Sequence, residues 1–187
     1  MTLDVELMKN QILSDLLNNS EITFSVTTEM IKKIDINSGK VLIDIDIGFP
    51  AQSKHKILFD QINKSLKTID KNLKSEVNIT TNILSHMSQG NTQLIPGVKN
   101  IIAVASGKGG VGKSTTTVNL ALALESEGAR VGVLDADIYG PSIPTMLGIK
   151  GKPESSDGQK FLPMLGHNLQ ANSIGFLVPK DQAMVWR

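Results

Sequence analysis

Eight residues constrain this chain more than any others: GKGGVGKS, Gly107–Ser114. Gly107, Gly112, Lys113 and Ser114 satisfy the phosphate-loop pattern G-x-x-x-x-G-K-[ST], which random sequence of average composition meets in fewer than about one chain in a hundred of this length. The flanks narrow it further. Before the loop stands NIIAVAS (100–106), a short continuous apolar run of the kind buried on both faces of a parallel sheet. After it come STTTVNLALALESEG (114–128), helical and closed by Gly128, and a second apolar run, ARVGVLDAD (129–137). Strand, glycine loop, helix and strand within about 38 residues predict a right-handed βαβ unit.

That arrangement has a chemistry. Glycines let consecutive backbone N–H groups turn inward around phosphate oxygens, and the helix N-terminus adds partial positive charge. Lys113 is placed to bridge the β- and γ-phosphates, and the Ser114 hydroxyl to ligate Mg²⁺. The expected nucleotide-binding set is Gly107, Lys108, Gly109, Gly110, Val111, Gly112, Lys113, Ser114 and Thr115, with ATP and Mg²⁺ as ligands. Lys108 is a second cation that the pattern does not require. Asp135 and Asp137 end the second apolar run, at the carboxyl edge where open α/β sheets bind ligands.

Beyond them, residues 138–159 are rich in Pro and Gly and read as an ordered loop, and 160–178 as one or two short strands. A doubly wound sheet needs about five strands with helices on both faces. One crossover helix is legible here, so the second domain is expected to be incomplete.

The first half has a different rhythm. Leu3, Leu7, Ile12, Leu13, Leu16 and Leu17 recur at helical spacing as far as NNS (18–20). ITFSVTTEMIKKIDI (22–36) and KVLIDIDIGFP (40–50) flank a short turn, NSG, and Val41, Ile43, Ile45 and Ile47 alternate with Leu42, Asp44, Asp46 and Gly48. That is a β-hairpin with one buried face. Leu58, Ile62, Leu66, Ile69 and Leu73 then form a helical stripe opposite Lys64, Lys67, Lys71 and Lys74, and SEVNITTNI (75–83) is a further strand. The expected organisation is an α+β domain of order αββαβ over 1–83, a linker over 84–97, and the first part of an α/β P-loop NTPase domain over 98–187.

The totals set limits. Net charge is +1 and evenly spread: residues 1–95 carry 10 basic and 11 acidic side chains, and 96–187 carry 9 and 7. Neither half has the positive field that favours nucleic acid or an anionic membrane, so neither partner is expected. The chain has no cysteine, which excludes disulfides and cysteine-ligated metal within it. The acidic, amphipathic start is no secretory signal, and no run approaches the ~18 apolar residues of a span. A cytoplasmic location is the expectation.

The loop form K-G-G-x-G-K-[ST] resembles the deviant Walker A motif of the ATPases that include MinD and ParA. The string DADIYGPSIPTMLG (135–148), with ANSIGFL (171–177) and AMVWR (183–187), resembles the Mrp/ApbC branch of that family from about Val98 to Arg187. The resemblance implies an ATP-hydrolysing carrier that binds and transfers iron–sulfur clusters, working as a homodimer and serving apo iron–sulfur proteins and scaffold proteins. It implies catalytic roles for Lys108, Lys113 and Asp137, with Lys108 reaching the partner subunit's phosphates. Asp135 would hold a water of the Mg²⁺ shell, beside the ligand Ser114. Over 1–83 the likeness is to MIP18-like domains, in size and element order only. The family's Walker B aspartate and paired cysteines would lie after Arg187, so a cluster could be held only through cysteines absent from this chain. FPAQSKHK (49–56) also lacks the cysteine that many such N-terminal domains carry there.

Two other functions fit the sequence: a MinD/ParA-type positioning switch, and a non-catalytic interaction module with a vestigial loop. Some tempting features have plainer readings. Asp44 and Asp46 are polar by strand alternation, and the lysine stripe is a solvated helix face. His55, His86 and His167 have no second ligand at metal spacing, and Trp186 is expected in a core.

Overall fold

A computed structural model of the protein describes residues 4–37, 40–85 and 95–178. The chain separates into two compact units, Met1–Asn100 and Ile101–Arg187. Both mix helix with small sheets. Ser38, Gly39, His86, most of the expected linker and Trp186 lie outside the described residues.

In the first unit, helix α1 (Val5–Leu17) starts where the Asp4 carboxylate accepts the backbone N–H of Glu6 at 2.9 Å, an N-cap that satisfies a donor no helix can satisfy itself. Strands β1 (Ile31–Asn37) and β2 (Lys40–Ile47) pair antiparallel, and β3 (Lys74–Thr81) pairs parallel to β2. Helix α2 (His55–Ile69) makes the crossover, so the sheet order is β1-β2-β3. Period-two alternation puts Val41, Ile43, Ile45 and Ile47 on one buried face. Met8, Ile12 and Leu16 of α1 and Leu58, Ile62 and Leu66 of α2 pack against that face as one core. Lys64 and Lys67 of α2 are exposed, as are Lys71 and Lys74, but the helix stops at Ile69, short of the Leu73 and Lys74 that the stripe predicts, because the chain must turn there to enter β3 at Lys74.

β1 begins later than its sequence predicts. Ile31 already stands opposite Ile45, and β2 ends at Ile47, so residues before 30 have almost no strand left to pair with. Thr28–Met30 coils into a 3₁₀ turn instead. The apolar residues ahead of it are held by side-chain packing: Val26 is buried, and Phe24 meets Phe49 edge-on with ring centroids 5.1 Å apart.

In the second unit, helix α3 (Lys113–Ser126) ends as its sequence predicts. Gly128 takes φ +91°, its N–H reaches Glu125 O at 2.8 Å, and the Ala129 N–H reaches Leu124 O at 3.0 Å. This paired closure needs a left-handed residue that only glycine enters without strain. Strand β4 (Gly132–Asp135) is followed by the short helix α4 (Ile143–Met146) and the hairpin β5 (Met164–Gly166) and β6 (Leu169–Ser173). β6 is central, pairing parallel to β4 and antiparallel to β5. Val133, Leu169 and Ala171 turn to one side and pack with Val118 and Ala121 of α3, Ile143 and Leu147 around α4, and Phe176.

One expectation fails here. NIIAVAS is not a strand, and it does not pair with β4 to complete a βαβ unit. Ile101 and Ile102 are 67 % and 62 % exposed. Apolar composition marks a segment able to sit inside a sheet, but a strand exists only where a neighbour completes its ladder. Among the described residues this run has none, and β4 takes β6 as its partner.

Candidate nucleotide site

The glycine loop leads directly into α3. Lys113 is the first helical residue, and Gly112 is the N-cap, in the left-handed region at φ +92°. Gly110 is also left-handed, at φ +74°, so these two glycines are required by backbone conformation. Gly107 and Gly109 are not. A Cβ built on any of the four meets nothing within 4 Å, so none is glycine because protein packs against it. The space beside the loop is open, as close approach of a ligand to the backbone demands.

No side chain caps α3. The first intrahelical N–H bond at this end runs from Thr116 to Gly112 O at 2.9 Å, so the N–H groups of Lys113, Ser114 and Thr115 stand at the open, positive end of the helix. Thr117 Oγ1 donates to Lys113 O at 2.9 Å, occupying that hydroxyl, whereas the Ser114 hydroxyl has no hydrogen bond among the described residues. Ser106 staples the base of the loop. Its Oγ accepts the Lys108 N–H and donates to Lys108 O, both at 3.1 Å. Neither lysine side chain pairs with a carboxylate among the described residues. Two unpaired ammonium groups and uncapped N–H donors suit the phosphates of a nucleotide, and the free hydroxyl oxygen of Ser114 suits a magnesium ion beside them.

The carboxylates at the end of β4 differ sharply. Asp135 is saturated on one side: Oδ2 accepts the Ser142 N–H, the Ile143 N–H and the Ser173 hydroxyl, each at 3.1 Å. Its Oδ1 accepts only the Asp137 N–H, at 3.2 Å, which leaves one lone pair. Direct metal ligation would compete with four donors, whereas a water of an ion's shell fits the remaining lone pair of Oδ1. Asp137 is freer. Its Oδ1 accepts the Gly140 N–H at 3.0 Å, and its Oδ2 has no partner among the described residues.

Sequence reasoning missed Ser173. It is a buried polar side chain at the end of β6, opposite Asp135 in the parallel ladder. The signal that could have found it is strand alternation, since in LQANS Ser173 falls in step with Leu169 and Ala171 on the buried face. The other polar features are locally satisfied. Asp46 Oδ1 accepts the Asn82 N–H at 2.9 Å, Asn78 Nδ2 donates to Asp44 at 3.4 Å, and His55 meets Thr81 while His167 meets Leu147 O. No group of three metal-binding side chains occurs among the described residues.

Comparison with known proteins sorts the two units. Residues 97–187 match the family model described as NUBPL iron-transfer P-loop NTPase, and residues 25–79 match that of the iron-sulfur cluster assembly protein. The chain is 51% identical over 146 residues to the iron-sulfur cluster carrier protein of Salmonella typhimurium, covering 78% of this chain and 40% of that one. It is 44% identical over 164 residues to the Haemophilus influenzae protein of the same name, covering 87% and 44%. An Arabidopsis thaliana iron-sulfur protein required for mitochondrial NADH dehydrogenase is 53% identical over 92 residues, covering 49% and 29%. The chain thus spans less than half the length of these relatives. By sequence it is related to the iron–sulfur cluster carrier proteins, with the glycine loop inside the P-loop NTPase match.

Proposed function

We propose that the protein binds and hydrolyses ATP with Mg²⁺ and, in doing so, carries iron–sulfur clusters to apo-proteins. One observation carries the reading: an uncapped helix whose first residue is Lys113, entered through a left-handed Gly112 from a loop with open space beside every glycine. The loop N–H groups from Gly107 to Thr115 would wrap the phosphates, and Lys113 would neutralise charge on the β- and γ-oxygens. Ser114 would ligate the ion, and Asp135 would hold a shell water through Oδ1. An ion held there by Ser114 and the shell water on Asp135 would supply charge neutralisation at the phosphates.

Asp137 is the candidate for orienting the attacking water, because one of its oxygens is free. Lys108, stapled through its backbone and exposed at its side chain, would act on a second subunit's nucleotide in a homodimer. Partners would be apo iron–sulfur proteins and scaffold proteins, in the cytoplasm. The cluster is cargo, and this chain supplies no cysteine to hold it. No helix among the described residues is long and apolar enough to cross a membrane.

The test is Lys113→Ala. A charge-assisted hydrogen bond contributes about 1.5–3 kcal/mol, so Mg-ATP affinity measured by titration calorimetry should fall at least about tenfold. Unchanged affinity would remove the loop from nucleotide binding.

A further inference from the structure

The structure assigns Ser173 as a positioning residue for the loop that carries Asp137, an inference that rests on the hydrolytic reading above. Asp135 of β4 and Ser173 of β6 occupy the same rung of a parallel pair, so their side chains leave the sheet on the same face. Ser173 is 2 % exposed, and its hydroxyl is used twice. Its Oγ accepts the Gly175 N–H at 3.1 Å and donates to Asp135 Oδ2 at 3.1 Å.

That carboxylate oxygen also takes the N–H groups of Ser142 and Ile143, while Oδ1 takes the N–H of Asp137 itself. The segment 137–143 is therefore fastened at both ends to one side chain, and Gly140 closes on Asp137 in between. Ser173 ties this clasp to the central strand of the sheet. Gly175 belongs to the same device. A Cβ there would approach the rings of Pro141 and Pro144 to within 3.1–3.3 Å, so the turn after β6 lies directly against the clasped segment.

A residue with this placement has no need to touch the nucleotide. Its effect is on where Asp137 stands when water attacks, and an interaction realised in the transition state shows in kcat, not in ground-state affinity. Threonine keeps the hydroxyl, whereas alanine deletes the donor to the carboxylate and the acceptor for Gly175.

The experiment compares wild type, Ser173→Ala and Ser173→Thr in the full-length protein. In Ser173→Ala, kcat for Mg-ATP hydrolysis is expected to drop about tenfold or more with KM within about twofold, and the Ser142 and Ile143 amides to exchange about tenfold faster. Amides of α3 should be unchanged, and Ser173→Thr should restore both readouts. Unaltered exchange at 142–143 would overturn the clasp. Faster exchange with an unaltered kcat would overturn the positioning role and leave a merely structural bond. A wild type that binds Mg-ATP without turnover would overturn the hydrolytic reading first, and the positioning role with it, before any variant is compared. If Ser173→Ala loses the α3 protection that marks a folded unit, Ser173→Cys keeps the volume with a weaker donor and should fall between the two in kcat; an unchanged kcat there overturns the proposal.

Discussion

The two units differ most in what their sheets leave uncovered. In the first, the central strand β2 buries every second side chain beneath two helices. In the second, β4 buries Val133 but leaves Leu134 at 74 % exposure, and Ile101 and Ile102 stand open as well. The unit with the denser core holds no nucleotide-loop residue, and the thinly covered one holds the loop, Asp135 and Asp137. Among the described residues, stability and the candidate chemistry are thus carried by different parts of the chain. The site is organised by backbone hydrogen bonds to a few polar side chains, and burial contributes less to it.

Hydrogen exchange should expose this contrast most strongly. Core amides open only with the unit, at a cost of several kcal/mol, while unpaired segments open at almost none. Amides of β2 are expected to exchange at least about a thousandfold more slowly than those of residues 101–105. Equal protection of the two would mean that NIIAVAS has a ladder partner and that the contrast is false.

Side-chain truncation should give the next largest difference. Ile62 is fully buried, so Ile62→Ala should cost about 2–5 kcal/mol through lost burial and the cavity left behind. Leu134→Ala removes a mostly exposed side chain and should change stability by no more than about 0.5 kcal/mol. Chemical denaturation of each variant checks both values. A costly Leu134→Ala would show that something covers that face in solution.

The smallest expected effect separates two kinds of glycine within the loop. Gly112→Ala forces a Cβ into the left-handed region and should destabilise the second unit by about 1–2 kcal/mol. Gly107→Ala has neither positive φ nor a close neighbour, so its stability should hold within about 0.5 kcal/mol while Mg-ATP affinity falls. Equal destabilisation by both would mean that the open space at Gly107 is filled.

What could be read from sequence follows from the range of the forces involved. The β2 alternation and the Gly128 helix stop are local patterns that stand where their residues predict, and the α2 stripe does so from Leu58 to Ile69, after which the helix ends and leaves Lys71, Leu73 and Lys74 beyond it. The loop's geometry is legible for the same reason, because the left-handed Gly110 and Gly112 and the start of α3 at Lys113 are set within one turn. Long-range pairing was not legible. Nothing in NIIAVAS reveals whether a neighbour will lie beside it, and nothing in ARVGVLDAD names β6 as its partner. Its place at a strand end makes Asp135 a candidate on the ligand side of the sheet, and the metal-shell role is what the resemblance implies. That three of its four donors come from residues 142, 143 and 173 depends on the fold, and so did the importance of Ser173.

The parallel pairing of β2 with β3 has a consequence for how the first unit assembles. Its rungs join residues 34 apart along the chain, whereas the β1–β2 hairpin closes across Asn37 and Lys40. A hairpin forms in about 1–10 μs, but a parallel rung must first meet the entropy of closing the long segment between its strands. α2 shortens that search by coiling the segment into a rigid rod that already carries its own apolar face. Loop closure therefore favours the order hairpin, crossover helix and only afterwards β3, which would make the parallel strand the last of the unit to pair.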